Sequence, residues 1–341
     1  MGGMIPAFFG LAGTELSPDE RALFGACAPA GYILFRRNID TPAQVRALTD
    51  SLRDLSGNPD VPILIDQEGG RVARLRPPHW PEFPPPVVFG EAFAKAPLTA
   101  MAAARANAQA LGVMLAELGI NVDCLPLLDV KADGMHEVIG DRSYGSDPAM
   151  VASLGRATLD GLKAGGCVGV VKHIPGHGRG TLDSHLALPT VAASAAELET
   201  DLIPFRRLAD APMAMTAHIL YPAWDETFCA SLSPTIIRDI IRGAIGFDNL
   251  LMSDDLGMQA LGLQPGGNSM GGRATGVIAA GCDIALHCSG DFAEMREVAD
   301  ALGPISGPAA DRLARAMRWT MAPSGTVAEL AAKRDALLAA A

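Results

Sequence analysis

The stretch Lys172-His173-Ile174-Pro175-Gly176-His177-Gly178-Arg179-Gly180-Thr181-Leu182-Asp183-Ser184-His185 gathers a lysine, three histidines and an aspartate among glycines. It follows the apolar run Val168-Gly169-Val170-Val171, so a buried strand is expected to empty into a polar, mobile loop. Loops carried on a rigid scaffold are where catalytic groups concentrate. Asp183 stands two residues before His185, and an aspartate that orients an imidazole makes it a better proton donor and acceptor near neutral pH.

Two further strands are expected to end in acids. Ile63-Leu64-Ile65-Asp66-Gln67-Glu68-Gly69-Gly70-Arg71-Val72-Ala73-Arg74 releases carboxylates and arginines through a Gly-Gly turn. Asp66 can accept two hydrogen bonds from neighbouring sugar hydroxyls, or it can simply pair with Arg71 or Arg74. Leu250-Leu251-Met252-Ser253-Asp254-Asp255-Leu256 offers a nucleophile, although a helix-capping role fits either acid equally well. Side-chain alternation predicts that one of Asp254 and Asp255 enters the site.

Other chemistries find less support. A metallohydrolase barrel needs a His-x-His pair at the end of an early strand, and Ile5 to Gly10 has none, so no metal is expected. Neither G-x-x-x-x-G-K-[ST] nor G-x-G-x-x-G occurs, which disfavours a nucleotide site, and no cofactor is expected.

These groups need elements to position them. Eight short apolar runs recur: 5–9, 32–35, 62–65, 121–125, 168–171, 213–216, 250–253 and 283–286. Helical patterns lie between them at 42–55, 98–118, 148–164, 195–209, 234–244 and 274–280, and Thr41-Pro42, Asp147-Pro148 and Ser233-Pro234 each set a capping residue before a first-turn proline. Repeated strand–helix alternation suits a single-domain (β/α)8 TIM barrel, with a doubly wound sheet as the other solution. The polar residues favour the barrel. Asp66, Lys172, His173, His218, Asp254 and His287 fall at proposed strand ends, which converge on one face only when the sheet closes. Segments 76–86 and 262–272 are expected to be loops, from their prolines and glycines, and the chain from about 303 to 341 to be Ala-rich helices packed outside the barrel.

The 341 residues are 49% hydrophobic and 19% charged, a globular composition. With 27 basic against 38 acidic residues the net charge is −11 and the basic residues are scattered, so nucleic acid is not an expected partner. The six cysteines form no C-x-x-C pair and are expected to be reduced. The apolar start lacks a basic n-region and meets Thr14 and Glu15 too soon for a signal or membrane span, which points to the cytoplasm.

Taken together, 65–72, Gly140-Asp141-Arg142-Ser143-Tyr144-Gly145, the 172–185 stretch and Ser253-Asp254-Asp255-Leu256 resemble glycoside hydrolase family 3. Their order and spacing are most similar to its single-domain bacterial β-N-acetylglucosaminidases of peptidoglycan recycling, over residues 5 to 289 or so. The resemblance implies hydrolysis of a terminal β-linked N-acetylglucosamine with retention, through a covalent glycosyl-enzyme. It implies Asp254 as nucleophile, His185 as general acid/base, Asp183 as its partner, and Asp66, Arg74, Arg142, Lys172 and His173 as residues that hold the sugar. The expected substrate is a GlcNAc-1,6-anhydro-MurNAc muropeptide, handled by a monomer. A phosphorylase or β-glucosidase of the same family is an alternative, since an imidazole need not repel phosphate as a carboxylate would. A non-catalytic sugar-binding barrel is another. The glycine-rich stretch 261–272 departs from the family pattern.

Overall fold

A computed structural model describes residues 3–132, 134, 136–180 and 188–341. Its strands are β1 (Ile5–Gly10), β2 (Pro29–Leu34), β3 (Ile63–Ile65), β4 (Val122–Asp123), β5 (Val168–Ile174), β6 (Met213–Thr216), β7 (Leu250–Asp255) and β8 (Ile284–His287). Each pairs in parallel with the next, and β8 returns to β1 through Ala7 opposite Ala285 and Phe9 opposite His287. The sheet therefore closes, and the doubly wound alternative falls away.

Closure explains why the strands lack polar alternation, because both faces are buried. Phe8, Ile33, Leu64, Val122, Val170, Met252 and Ile284 fill the barrel, while their neighbours Phe9, Tyr32, Leu34, Ile63, Ile65 and Val171 face the helices. That outer layer comprises α1 (Pro18–Cys27), α2 (Pro42–Ser56), α3 (Val87–Phe93), α4 (Pro97–Glu117), α5 (Pro148–Ala164), α6 (Ala195–Arg207), α7 (Gln259–Gly262), α8 (Met270–Ala280) and α9 (Phe292–Ala301), with α10 (Gly307–Met317) and α11 (Val327–Ala339) following. Leu313 and Ala316 of α10 join the barrel-interior cluster and so pack against the end of the barrel, whereas Arg334 of α11 bonds Asn107 of α4.

The caps act where the sequence places them. Thr41 accepts from the Gln44 N–H, and Asp147 from the Ala149 N–H. Ser233 accepts from the Ile236 N–H, but the segment it opens, Ile236–Ala244, is wound as a π-helix. The glycine-rich 262–272 stretch is not all loop: α7 ends in it, and α8 starts at Met270 with Ser269 as its cap. All six cysteines are free thiols. Among the described residues no helix is long and apolar enough to cross a membrane.

Candidate active site

The C-terminal ends of the strands surround a cavity of about 300 Å³ that includes Asp66, Arg74, Arg142, Lys172, His173 and Asp254 in its walls. Six of the predicted site residues thus converge. Asp183 and His185 lie outside the described residues.

Asp66 follows β3 directly. Its Oδ1 accepts from Lys172 Nζ at 3.0 Å and its Oδ2 from Arg74 Nη2 at 3.0 Å, so the pairing with Arg74 exists and lies within the cavity wall. Arg71 takes no part in it and bonds Asp141 instead. Burial opposes the charge on Asp66, yet Lys172 and Arg74 outweigh it and hold the carboxyl well below the usual range. Glu68, fully buried, meets Lys172 at 2.7 Å and Arg142 through both arms of the guanidinium at 2.7 and 2.8 Å. Here too burial is overcome, by Arg142 first and then Lys172, and the carboxyl is pulled down. For Lys172 burial would lower the pKa, but Glu68 and Asp66 keep the ammonium charged. The result is a cradle of fixed donors and acceptors in which three cations hold two carboxylates, suited to a polyhydroxylated ring.

On β5, Lys172 and His173 both reach the cavity although they are neighbours. The pairing of β5 with β6 shifts register between Lys172 and Ile174, which breaks the alternation. His173 Nδ1 bonds Asp129 Oδ2 at 2.8 Å, and Asp129 Oδ1 accepts the backbone N–H groups of His173 and His177 at 3.1 and 2.7 Å. Burial works against this carboxylate, but the histidines hold it down at about 2. His177, also in the cavity wall, is lowered to about 4 by its burial and then by His173.

At the end of β7 the expectation that one acid enters the site is corrected. Asp254 and Asp255 both line the cavity, because the β7–β8 register shifts between Met252 and Asp255. Their surroundings still distinguish them. Asp255 Oδ1 accepts the N–H groups of Gly257 and Cys288, both at 3.0 Å, a turn-closing role, whereas Asp254 Oδ1 accepts the Asp255 N–H at 2.8 Å. His218 stands behind this pair and donates from Nε2 to the Asp255 carbonyl at 3.0 Å; burial lowers its pKa. His287 turns away to Glu294, 3.0 Å distant, and takes no part in the cavity wall.

Two anchoring residues had no role assigned from the sequence. Glu68 sits inside a recognised motif, but its partner Arg142 is 74 positions away. Asp129 closes the run Leu127-Leu128, a strand-end signal like those of Asp66 and Asp254. Among the described residues no three His, Cys, Asp or Glu side chains are grouped to hold a metal ion.

Residues 15–317 match the model of the glycosyl hydrolase family 3 N terminal domain. The chain belongs to glycoside hydrolase family 3. It is accordingly a glycoside hydrolase, and its similar relatives are β-hexosaminidases. That of Alkalilimnicola ehrlichii is 39% identical over 83% of this chain and 80% of its own, and that of Chromobacterium violaceum is 37% identical over 97% and 96%. Among family 3 structures, that of NagZ from Neisseria gonorrhoeae in complex with N-trifluoroacetyl-D-glucosamine superimposes with a TM-score of 0.87 at 32% identity, covering 99% of this chain and 98% of that one. A family 3 β-N-acetylglucosaminidase from Paenibacillus has a TM-score of 0.86 at 32% identity, over 97% of this chain and 66% of that one.

Proposed function

We propose that this family 3 enzyme removes terminal β-linked N-acetylglucosamine with retained configuration, acting on GlcNAc-1,6-anhydro-MurNAc muropeptides in cytoplasmic peptidoglycan recycling, as a monomer and without a cofactor. The observation that carries the reading is the position of Asp254: a strand-end carboxylate in the wall of the same cavity as the Asp66–Lys172–Glu68–Arg142 cradle.

In this mechanism Asp66, Arg74, Arg142, Lys172 and His173 grip the sugar so that its anomeric carbon faces Asp254. The Asp254 carboxylate attacks that carbon while His185, oriented by Asp183, gives its proton to the departing glycosidic oxygen. The glycosyl–Asp254 ester is then cleaved by water, whose proton returns to His185. Retaining enzymes usually place two carboxyl groups about 5 Å apart, and an imidazole can replace the second when its pKa lies near the working pH.

The reading is tested with 4-nitrophenyl β-N-acetylglucosaminide beside the β-glucoside, with and without phosphate, for the wild type and Asp254→Ala. Strong N-acetyl preference that is independent of phosphate and lost in the variant is expected. Formation of a sugar 1-phosphate would make the enzyme a phosphorylase, and full activity in Asp254→Ala would remove the nucleophile. Release of free N-acetylglucosamine from GlcNAc-1,6-anhydro-MurNAc tests the natural substrate.

A further inference from the structure

Arg71 is a cation in the cavity wall whose expected pairing with Asp66 is not made, so its role is still open. It leaves a turn whose geometry is tightly fixed. Glu68 and Gly69 both donate their N–H to the Val72 carbonyl, Gly69 has φ +99°, and a Cβ there would fall 2.3 Å from the Pro84 carbonyl oxygen, so only glycine fits. From this base the guanidinium reaches the loop between β4 and α5. Nε donates to Asp141 Oδ1 at 2.7 Å, and Nη2 faces the carbonyls of Glu137, Val138 at 2.9 Å and Ile139 at 3.2 Å.

What that loop carries gives the clamp its meaning. Val138 and Ile139 line the cavity, and Arg142 follows them with its grip on Glu68. The loop is also joined to the segment after β5. Ala132 donates its N–H to Gly178 at 3.3 Å and His136 to Gly180 at 2.9 Å, and a Cβ on Gly178 would lie 1.7 Å from the Val130 carbonyl oxygen. In sequence Gly180 stands three residues before Asp183 and five before His185.

We infer that Arg71 is a positioning residue: its fork fixes the 136–142 loop, and through it both Arg142 and the point from which the acid/base segment departs. This rests on the proposed role of His185 as proton donor. Arg71 is 46% exposed, so its ion pair adds little to global stability and its effect falls on geometry. Lysine cannot replace it, because a single ammonium cannot span a carboxylate and successive carbonyls as a planar fork does.

The test compares Arg71→Lys, Arg71→Ala and Asp141→Ala with the wild type on an alkyl β-N-acetylglucosaminide and on the 4-nitrophenyl glycoside. A displaced proton donor penalises the poor leaving group more. The expected result is a loss of kcat/KM of about 10²-fold on the alkyl substrate for both Arg71 variants. A smaller loss is expected on the aryl one, with Asp141→Ala shifting in the same direction and melting temperatures unchanged. Wild-type behaviour of Arg71→Lys, or equal losses on both substrates, overturns the proposal. Amide hydrogen exchange gives a readout that does not depend on activity. Exchange in Arg71→Lys should quicken in peptides spanning 136–142 and 176–180, and unchanged exchange there defeats the clamp even if the assigned reaction proves wrong. A wild type inactive on both glycosides, with exchange quickened in Arg71→Lys, would instead leave the clamp standing and defeat the functional reading.

Discussion

The Lys172 ammonium lies 3.0 Å from Asp66 and 2.7 Å from Glu68, with 2% of its side chain exposed. Deleting its charge leaves two buried carboxylates that share one fewer cation, and breaking a buried pair from one side typically costs about 3–5 kcal/mol. Lys172→Met should therefore lower stability by that amount in urea unfolding. A loss under about 1 kcal/mol would show that solvent reaches the cradle, as it does for exposed pairs. That Asp66, Arg74, Arg142, Lys172, His173 and Asp254 meet in one cavity was legible because each stands at or near a strand end or in a recognised motif. Glu68 and Asp129 were not, because their roles lie in partners distant along the chain, Arg142 and Lys172 for one and His173 for the other.

Among the elements, start signals read well because a cap is a local event. Ser17 accepts from the Glu20 N–H, and buried Glu20 returns bonds to the N–H groups of Ser17 and Ala12 at 2.8 and 2.9 Å, tying the end of β1 to α1. Glu20→Ala removes two charge-assisted bonds at once, so it should cost roughly 2–3 kcal/mol with little change in KM, measured by denaturant unfolding and initial rates. A neutral substitution would mean that water replaces both bonds. Two features of winding and register escaped the sequence. The π-helix at Ile236–Ala244 and the shifted registers of β5 and β7 depend on how neighbouring elements fit, and strict alternation gives no sign of them. Those shifts are what bring consecutive residues, Lys172 with His173 and Asp254 with Asp255, into one cavity.

For the whole molecule, closure of the barrel was readable because eight apolar runs recur and five of them end in polar residues whose convergence on one face needs a closed sheet. The packing of α10 against the barrel end was less readable, since Leu313 and Ala316 look like any apolar helix face until the opening they meet is known. Global stability should also carry a histidine signature. His177 takes a proton near 6.5 when unfolded but only near 4 when folded, because burial disfavours its charge. The unfolded chain therefore binds the extra proton first as pH falls. Stability should decline by roughly 3 kcal/mol between those values and then level off for this group. Urea midpoints across that range should show a shallower slope in His177→Gln than in the wild type, and parallel slopes would contradict the assignment.

Asp254 is proposed to form a covalent bond to the sugar, and the most direct measurement is to trap that bond. A 5-fluoro-N-acetylglucosaminyl fluoride carries a good leaving group and slows both steps, so the glycosyl-enzyme should accumulate. Peptide mapping by mass spectrometry is predicted to find one added sugar, on Asp254, in the wild type and none in Asp254→Ala. An adduct on Asp255 or another residue, or turnover with no adduct and an α-configured first product, would contradict the account.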